Sequence, residues 1–269
     1  MQYLMEKTCA SKLLMRLSIV AICSFLVAFT YPMLGSYKLT KSIDTKARYL
    51  TTDFLKNVYT ITEKNQLMKY DSTGNTVGVY SEKKYGSLTS VDATSPFNIL
   101  AFYKEFATIV SLDMRMNPKR LYKLPSIDIN NVSAVCLSED NYIWFYDMDD
   151  GRLKKMDNNY EIVHESIELP QLLGEAIEPN FLIERQQGLY MNVPGMGIII
   201  FDIFANYYTS IPNVNLGNDS LNSFQLVNGQ VVYFDEGKLF LYDISTASLN
   251  SIAIPNTNAN TKAVSVEKG

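Results

Sequence analysis

From residue 47 onward the chain is written in short apolar runs separated by polar turns, and the runs recur at a fixed interval. Five of them end on an aspartate: residues 67–71, 109–113, 153–157, 199–202 and 240–243. The aspartates Asp71, Asp113, Asp157, Asp202 and Asp243 are 42, 44, 45 and 41 residues apart. A second apolar run precedes each at a matching offset, over residues 58–61, 99–102, 143–146, 189–191 and 231–234. The last repeat shows the unit: residues 223–227, an Asn228-Gly229 turn, residues 230–234, a Glu236-Gly237 turn, residues 238–242, then Asp243 and a fourth run over 249–254. Asn-Gly between two such runs is a hairpin signal, because both residues tolerate the positive φ that matches strand twist.

A four-stranded meander repeated every 40 to 45 residues has the size of a propeller blade, and a blade alone leaves an apolar face bare. The expectation is an all-β propeller over residues 37–255, with blades at 47–86, 87–127, 130–170, 178–214 and 222–255. Five blades closing a ring is the first reading. An incomplete six-bladed ring, with residues 37–46 adding a strand, is the second.

Composition narrows the class. The chain has 269 residues, 47% hydrophobic and 19% charged, with 18 Tyr and 13 Phe, which fits a folded, strand-rich protein rather than a disordered one. A net charge of −4 provides no basic footprint for nucleic acid. Cys9, Cys23 and Cys136 with the single histidine, His164, supply neither a disulfide framework nor a metal-binding cluster, and no cofactor is implied.

The N-terminus reads differently. Lys7, Lys12 and Arg16 precede an apolar run over residues 17–29, followed by Pro32 and Gly35. Basic residues stay on the cytoplasmic side, so residues 1–36 read as a signal peptide or, if uncleaved, a membrane anchor, and the rest is exported. Without residues 1–36 the body keeps 21 basic and 27 acidic residues, a charge of −6. Membrane contact is then expected only through the N-terminal segment. Residues 256–269 read as a loose polar tail.

The stretch Tyr85 Gly86 Ser87 Leu88 Thr89 Ser90 Val91 Asp92, continued by Pro96 Phe97 Asn98 Ile99 Leu100 Ala101 Phe102 Tyr103 Lys104, resembles a family of exported β-propellers from Bacteroidetes-type Gram-negative bacteria. Phe201 Asp202 Ile203 Phe204 with Tyr207 Tyr208 is also similar, and the resemblance covers most of residues 50–245. It implies a propeller beyond the inner membrane, in the periplasm or at the outer membrane, and brings no established activity and no catalytic residues.

The candidate chemistry is sparse. The five repeated aspartates precede turns rich in Ser, Asn or Gly, where a carboxylate accepts backbone N–H groups, so they read as scaffold. The innermost strands carry the residues expected around the channel mouth: Asp53, Asp92, Glu139 with Asp140, Glu184 with Arg185, and Gln225. Asp53, Asp92 and Glu184 are the trio a glycoside hydrolase would draw on, since that reaction needs an acid and a base or nucleophile at defined separation. Against it, solvated strand ends carry such charges routinely. His164 falls on an outermost strand and Cys136 on an innermost one, as a surface imidazole and a small core side chain. The function expected is a non-enzymatic scaffold that binds an envelope protein partner, with Asp53, Asp92, Glu184 and Arg185 as the binding candidates. A glycan or small-ligand binder is the alternative.

Overall fold

Strand order follows the hydrophobic repeat directly. The computed structural model describes residues 43, 45–218 and 221–254; the chain divides into two units, Met1–Leu39 and Thr40–Gly269, and all described residues belong to the second. Blade 1 is β1 (Ala47–Thr52), β2 (Val58–Thr62), β3 (Leu67–Tyr70) and β4 (Thr76–Tyr80). Blade 2 is β5 (Ser90–Asp92), β6 (Ile99–Tyr103), β7 (Thr108–Leu112) and β8 (Pro118–Lys123). Blade 3 is β9 (Val132–Leu137), β10 (Ile143–Asp147), β11 (Arg152–Met156) and β12 (Ile162–Glu165). Blade 4 is β13 (Phe181–Arg185), β14 (Gly188–Val193), β15 (Gly197–Asp202) and β16 (Tyr207–Pro212). Blade 5 is β17 (Gln225–Val227), β18 (Gln230–Asp235), β19 (Lys238–Asp243) and β20 (Ser248–Ala253). Each blade is an antiparallel meander of four consecutive strands, and together they form a five-bladed β-propeller.

Five sheets, rather than six, settle the blade number among the described residues. Lys46 lies outside any strand, and the remainder of the proposed extra strand falls largely outside the described residues. Residues 1–36, expected as a signal peptide or anchor, and the tail at 256–269 also lie outside them.

Burial follows radial position. Second and third strands are sandwiched between neighbouring blades, so β6, β7 and β10 are buried along their whole length. Fourth strands face solvent: β8 keeps one buried residue and β20 none. Apolar clusters fill the junctions between successive blades. Tyr59, Ile61 and Leu67 meet Val91, Ile99 and Val110; Phe102 and Ile109 meet Val135 and Phe145; Trp144 and Tyr146 meet Leu189 and Met191; Ile198 and Ile200 meet Val231 and Tyr233. Among the described residues no comparable cluster joins blade 5 to blade 1, where the facing sheets offer buried Tyr70, Val232 and Leu239.

Two short α-helices that the repeat did not foreshadow interrupt the links between blades, α1 (Leu169–Leu173) after blade 3 and α2 (Asn213–Leu216) after blade 4, and a 3-10 turn, Leu124–Ile127, follows blade 2. Pro170 opens the first, and each ends on a glycine at positive φ, Gly174 and Gly217.

Candidate functional site

One turn design recurs through the described residues, at 53–57, 62–66, 71–75, 113–117, 138–142, 157–161 and 202–206. In each, the first N–H donates to the fifth carbonyl, the fourth N–H donates to the first carbonyl, and the fourth residue has positive φ. This is the three-residue hairpin with a left-handed closing residue. An aspartate begins five of these turns, and its Oδ1 accepts the N–H groups two and four residues on, at 2.7–2.9 Å. Where the fifth residue is Asn57, Asn75, Asn117 or Asn206, its amide also donates to the other carboxylate oxygen. Asp243 holds a related turn through the N–H groups of Ser245 and Thr246.

These donors stabilise the charged carboxylate. The Thr73 hydroxyl and Asn75 N–H hold Asp71 down at about 2, and the Ser245 hydroxyl and Thr246 N–H hold Asp243 at about 2. Asp113 is lowered mainly by the Asn117 N–H. For Asp202, partial burial works in the opposite direction, and the Asn206 side chain and backbone outweigh it.

Antiparallel alternation places the first-to-second and third-to-fourth strand turns at one end of the ring, and the second-to-third turns with the inter-blade links at the other. Asp53, expected as a solvated residue at the channel mouth, is instead 1% exposed. Its carboxylate is filled by the 53–57 turn and by the Tyr59 hydroxyl at 2.9 Å. Burial and this carboxylate push the Tyr59 phenol up.

Glu184 departs from the same expectation. It is 3% exposed and accepts the Ser138 hydroxyl at 2.7 Å, the Glu139 N–H at 2.9 Å and the Trp144 indole N–H. One carboxylate of blade 4 thereby pins three groups of blade 3. Asp92 links blades 2 and 3, its Oδ1 accepting the Thr94 N–H at 2.8 Å and its Oδ2 the Leu137 N–H at 2.7 Å. Arg185 sits partly exposed across the channel from blade 2, with one long hydrogen bond to the Thr94 carbonyl at 3.4 Å. Asp140 takes the Lys155 ammonium at 2.7 Å.

The inner strands enclose a cavity of about 310 Å³ on the axis, and Asp53, Asp92, Arg185 and Gln225 line it with Tyr49, Phe54, Phe181 and Phe224. A second hollow of about 420 Å³ lies at the turn-bearing mouth, between Phe54, Thr94, Glu139 and Arg185. Phe54 and Phe97, from neighbouring blades, meet at that mouth with ring centroids 6.3 Å apart, yet remain 59% and 57% exposed. Leu55 beside them is 47% exposed. This exposed pair carried no repeat signal and the sequence reading missed it.

His164 lies on the outer strand β12, edge-on to Phe204. Cys136 is fully buried in the core, and burial pushes its thiol well up. Among the described residues no group of three or more His, Cys, Asp or Glu is placed to hold a metal ion.

No family model matches the sequence, and no curated protein matches it. Solved structures similar in fold include a streptogramin B lyase, with a TM-score of 0.56 and 18% identity over 83% of this chain and 74% of that one. A catalytically inactive variant of virginiamycin B lyase from Staphylococcus aureus, solved with quinupristin, has a TM-score of 0.53 and 17% identity over 83% and 75% of the two chains. The WD40 domain of Neurospora crassa Pan2 has a TM-score of 0.52 and 11% identity over 78% and 66%. At these identities the likeness is one of fold, shared by enzymes and non-enzymes.

Proposed function

We propose that this chain is an exported, non-enzymatic binding platform that engages a protein partner in the periplasm or at the outer membrane. The basic flank at Lys7, Lys12 and Arg16 before the apolar run supports export, as does the resemblance to exported propellers. The observation that carries the binding reading is the Phe54 and Phe97 pair with Leu55, large apolar side chains from two blades held together and open to solvent beside the channel mouth. Aromatic side chains grouped on a rigid rim are the material of binding hot spots. Exposed apolar residues also occur at the opposite end, among them Phe106 and Val214 on separate connections and Ile167 with Leu172 on the link that carries α1, but Phe54 and Phe97 are an aromatic pair in ring contact.

The lyase neighbours weigh little against this. Replacement of one histidine yields the inactive enzyme seen with quinupristin, whereas the only imidazole here lies on an outermost strand, packed on Phe204. The trio Asp53, Asp92 and Glu184 has its oxygens engaged in turns and between blades, which supports scaffold roles rather than acid and base roles.

Two comparisons test the reading. Phe54→Asp and Phe97→Asp should abolish copurification of the partner that the unaltered protein captures from its own cell envelope, while Val214→Asp should leave it intact. Retention by both mouth variants at unchanged melting temperature would overturn the site. A reporter fused after residue 269 should be active beyond the inner membrane, and cytoplasmic activity would refute export.

A further inference from the structure

We infer that the axial cavity is a binding site for a neutral, polyhydroxylated ring, the chemistry of a mono- or disaccharide, meeting the protein-binding rim at Phe54. The cavity of about 310 Å³ stands at the small end of ligand cavities, which span roughly 300–1,000 Å³. One or two rings fill it. Half of the residues lining it are polar, an unusual share for a site that would take an aliphatic chain.

The charged groups on its wall set the ligand's character. Asp53 is committed to its own turn and to Tyr59, which leaves Asp92 and Arg185, one of each sign. Each Asp92 oxygen accepts one backbone N–H, and a carboxylate accepts about four hydrogen bonds, so acceptor capacity remains. Arg185 has five N–H donors and, among the described residues, joins none of the ion pairs and makes one hydrogen bond, at the long limit of 3.4 Å. A carboxylate ligand would be repelled by Asp92 and by nearby Glu184, and an ammonium ligand by Arg185. A hydroxyl that donates to Asp92 while its neighbour accepts from Arg185 satisfies both without adding charge.

The wall at the other end of β13 from Arg185 completes the match. Phe181 and Phe224 pack edge to face with centroids 5.1 Å apart and line the same cavity. Phe181, half-buried, offers its ring to the apolar C–H face of a sugar, with buried Phe224 packed against it, while the Asn222 side chain lines the same cavity. Polar groups that fix orientation beside an apolar wall are the pattern of small-molecule sites.

Saturation-transfer NMR of the full chain with glucose, N-acetylglucosamine, maltose and cellobiose, and with indole as an apolar control, tests this. Transfer to the ring protons of at least one sugar is expected. Arg185→Met, which keeps the apolar stem, should weaken that binding about tenfold, the factor corresponding to about 1.4 kcal/mol. Thr51→Phe, which fills the channel from β1, should abolish it, with the emission of Trp144 reporting that each variant is folded. Absence of transfer to every sugar, transfer to indole alone, or binding that survives both substitutions would overturn the inference. Phe97→Asp, outside the cavity lining, separates it from the partner site, since loss of partner capture with sugar transfer retained leaves this site standing.

Discussion

An aspartate at the head of a five-residue turn saturates two backbone N–H groups with a single oxygen, and an asparagine four residues on fills the second oxygen. Asp202→Ala should lower stability by about 0.5–2 kcal/mol in urea unfolding, as loss of a cap does, and Asp113→Ala should lower the urea midpoint, with partner capture unchanged in both. The acid limb follows from Asp71 and Asp243. Their pKa values are lowered in the folded state, so the stability they contribute is fully present above the ordinary value of 3.8 and is lost as pH falls towards about 2. Urea midpoints should therefore drop across that window, and Asp71→Asn with Asp243→Asn should flatten the drop. The spacing of the repeated aspartates was legible from the sequence. The partner asparagine was equally present, as Asp-x-x-x-Asn at residues 71–75, 113–117 and 202–206. The same pattern at residues 53–57 identifies Asp53 as a turn residue. Glu184 left no such trace, because the groups it binds lie 40 to 46 residues away on another blade.

At the scale of elements, apolar runs, turn pairs and their spacing located the strands, since a hairpin states its own register through local chemistry. The helices α1 and α2 escaped because five and four residues are too few for a 3.6-residue pattern to stand out. Lateral ties between blades escaped for the reason that hid Glu184. Replacing Glu184 with Leu would leave the Trp144 N–H, the Ser138 hydroxyl and the Glu139 N–H without their acceptor. The expected cost is about 3 kcal/mol or more, at roughly 1–3 kcal/mol for each buried group left unpaired. Trp144, the only tryptophan, should report the change by a shifted emission in the native state. At the start of β15, Gly197 has φ +128°, and a Cβ there would press on the backbone of Ile211 and Asn213. Gly197→Ala should therefore destabilise blade 4 by more than about 1 kcal/mol, the lower cost of a strained backbone conformation.

The ring as a whole is unevenly joined. Four junctions hold clusters of buried apolar side chains, and the junction from blade 5 to blade 1 holds none of that size among the described residues. Among the described residues each blade is made of consecutive strands, and no hydrogen-bonded strand shared between first and last blades ties that junction. Native-state amide exchange should be faster in β2, β3, β18 and β19 than in β6, β7, β10 and β15, because local opening follows the density of buried apolar contact. Equal protection in all five blades would show the ring to be uniform.

The rim at Phe54 and Phe97 is proposed as the surface where a protein partner docks. The most direct measurement places a photoreactive amino acid at position 97 or at position 214 and irradiates intact cells. A covalent adduct with one envelope protein is expected from position 97, absent from position 214 and lost when Phe54→Asp is added. An adduct from position 214 alone, or one from position 97 that is indifferent to Phe54→Asp, would contradict the account.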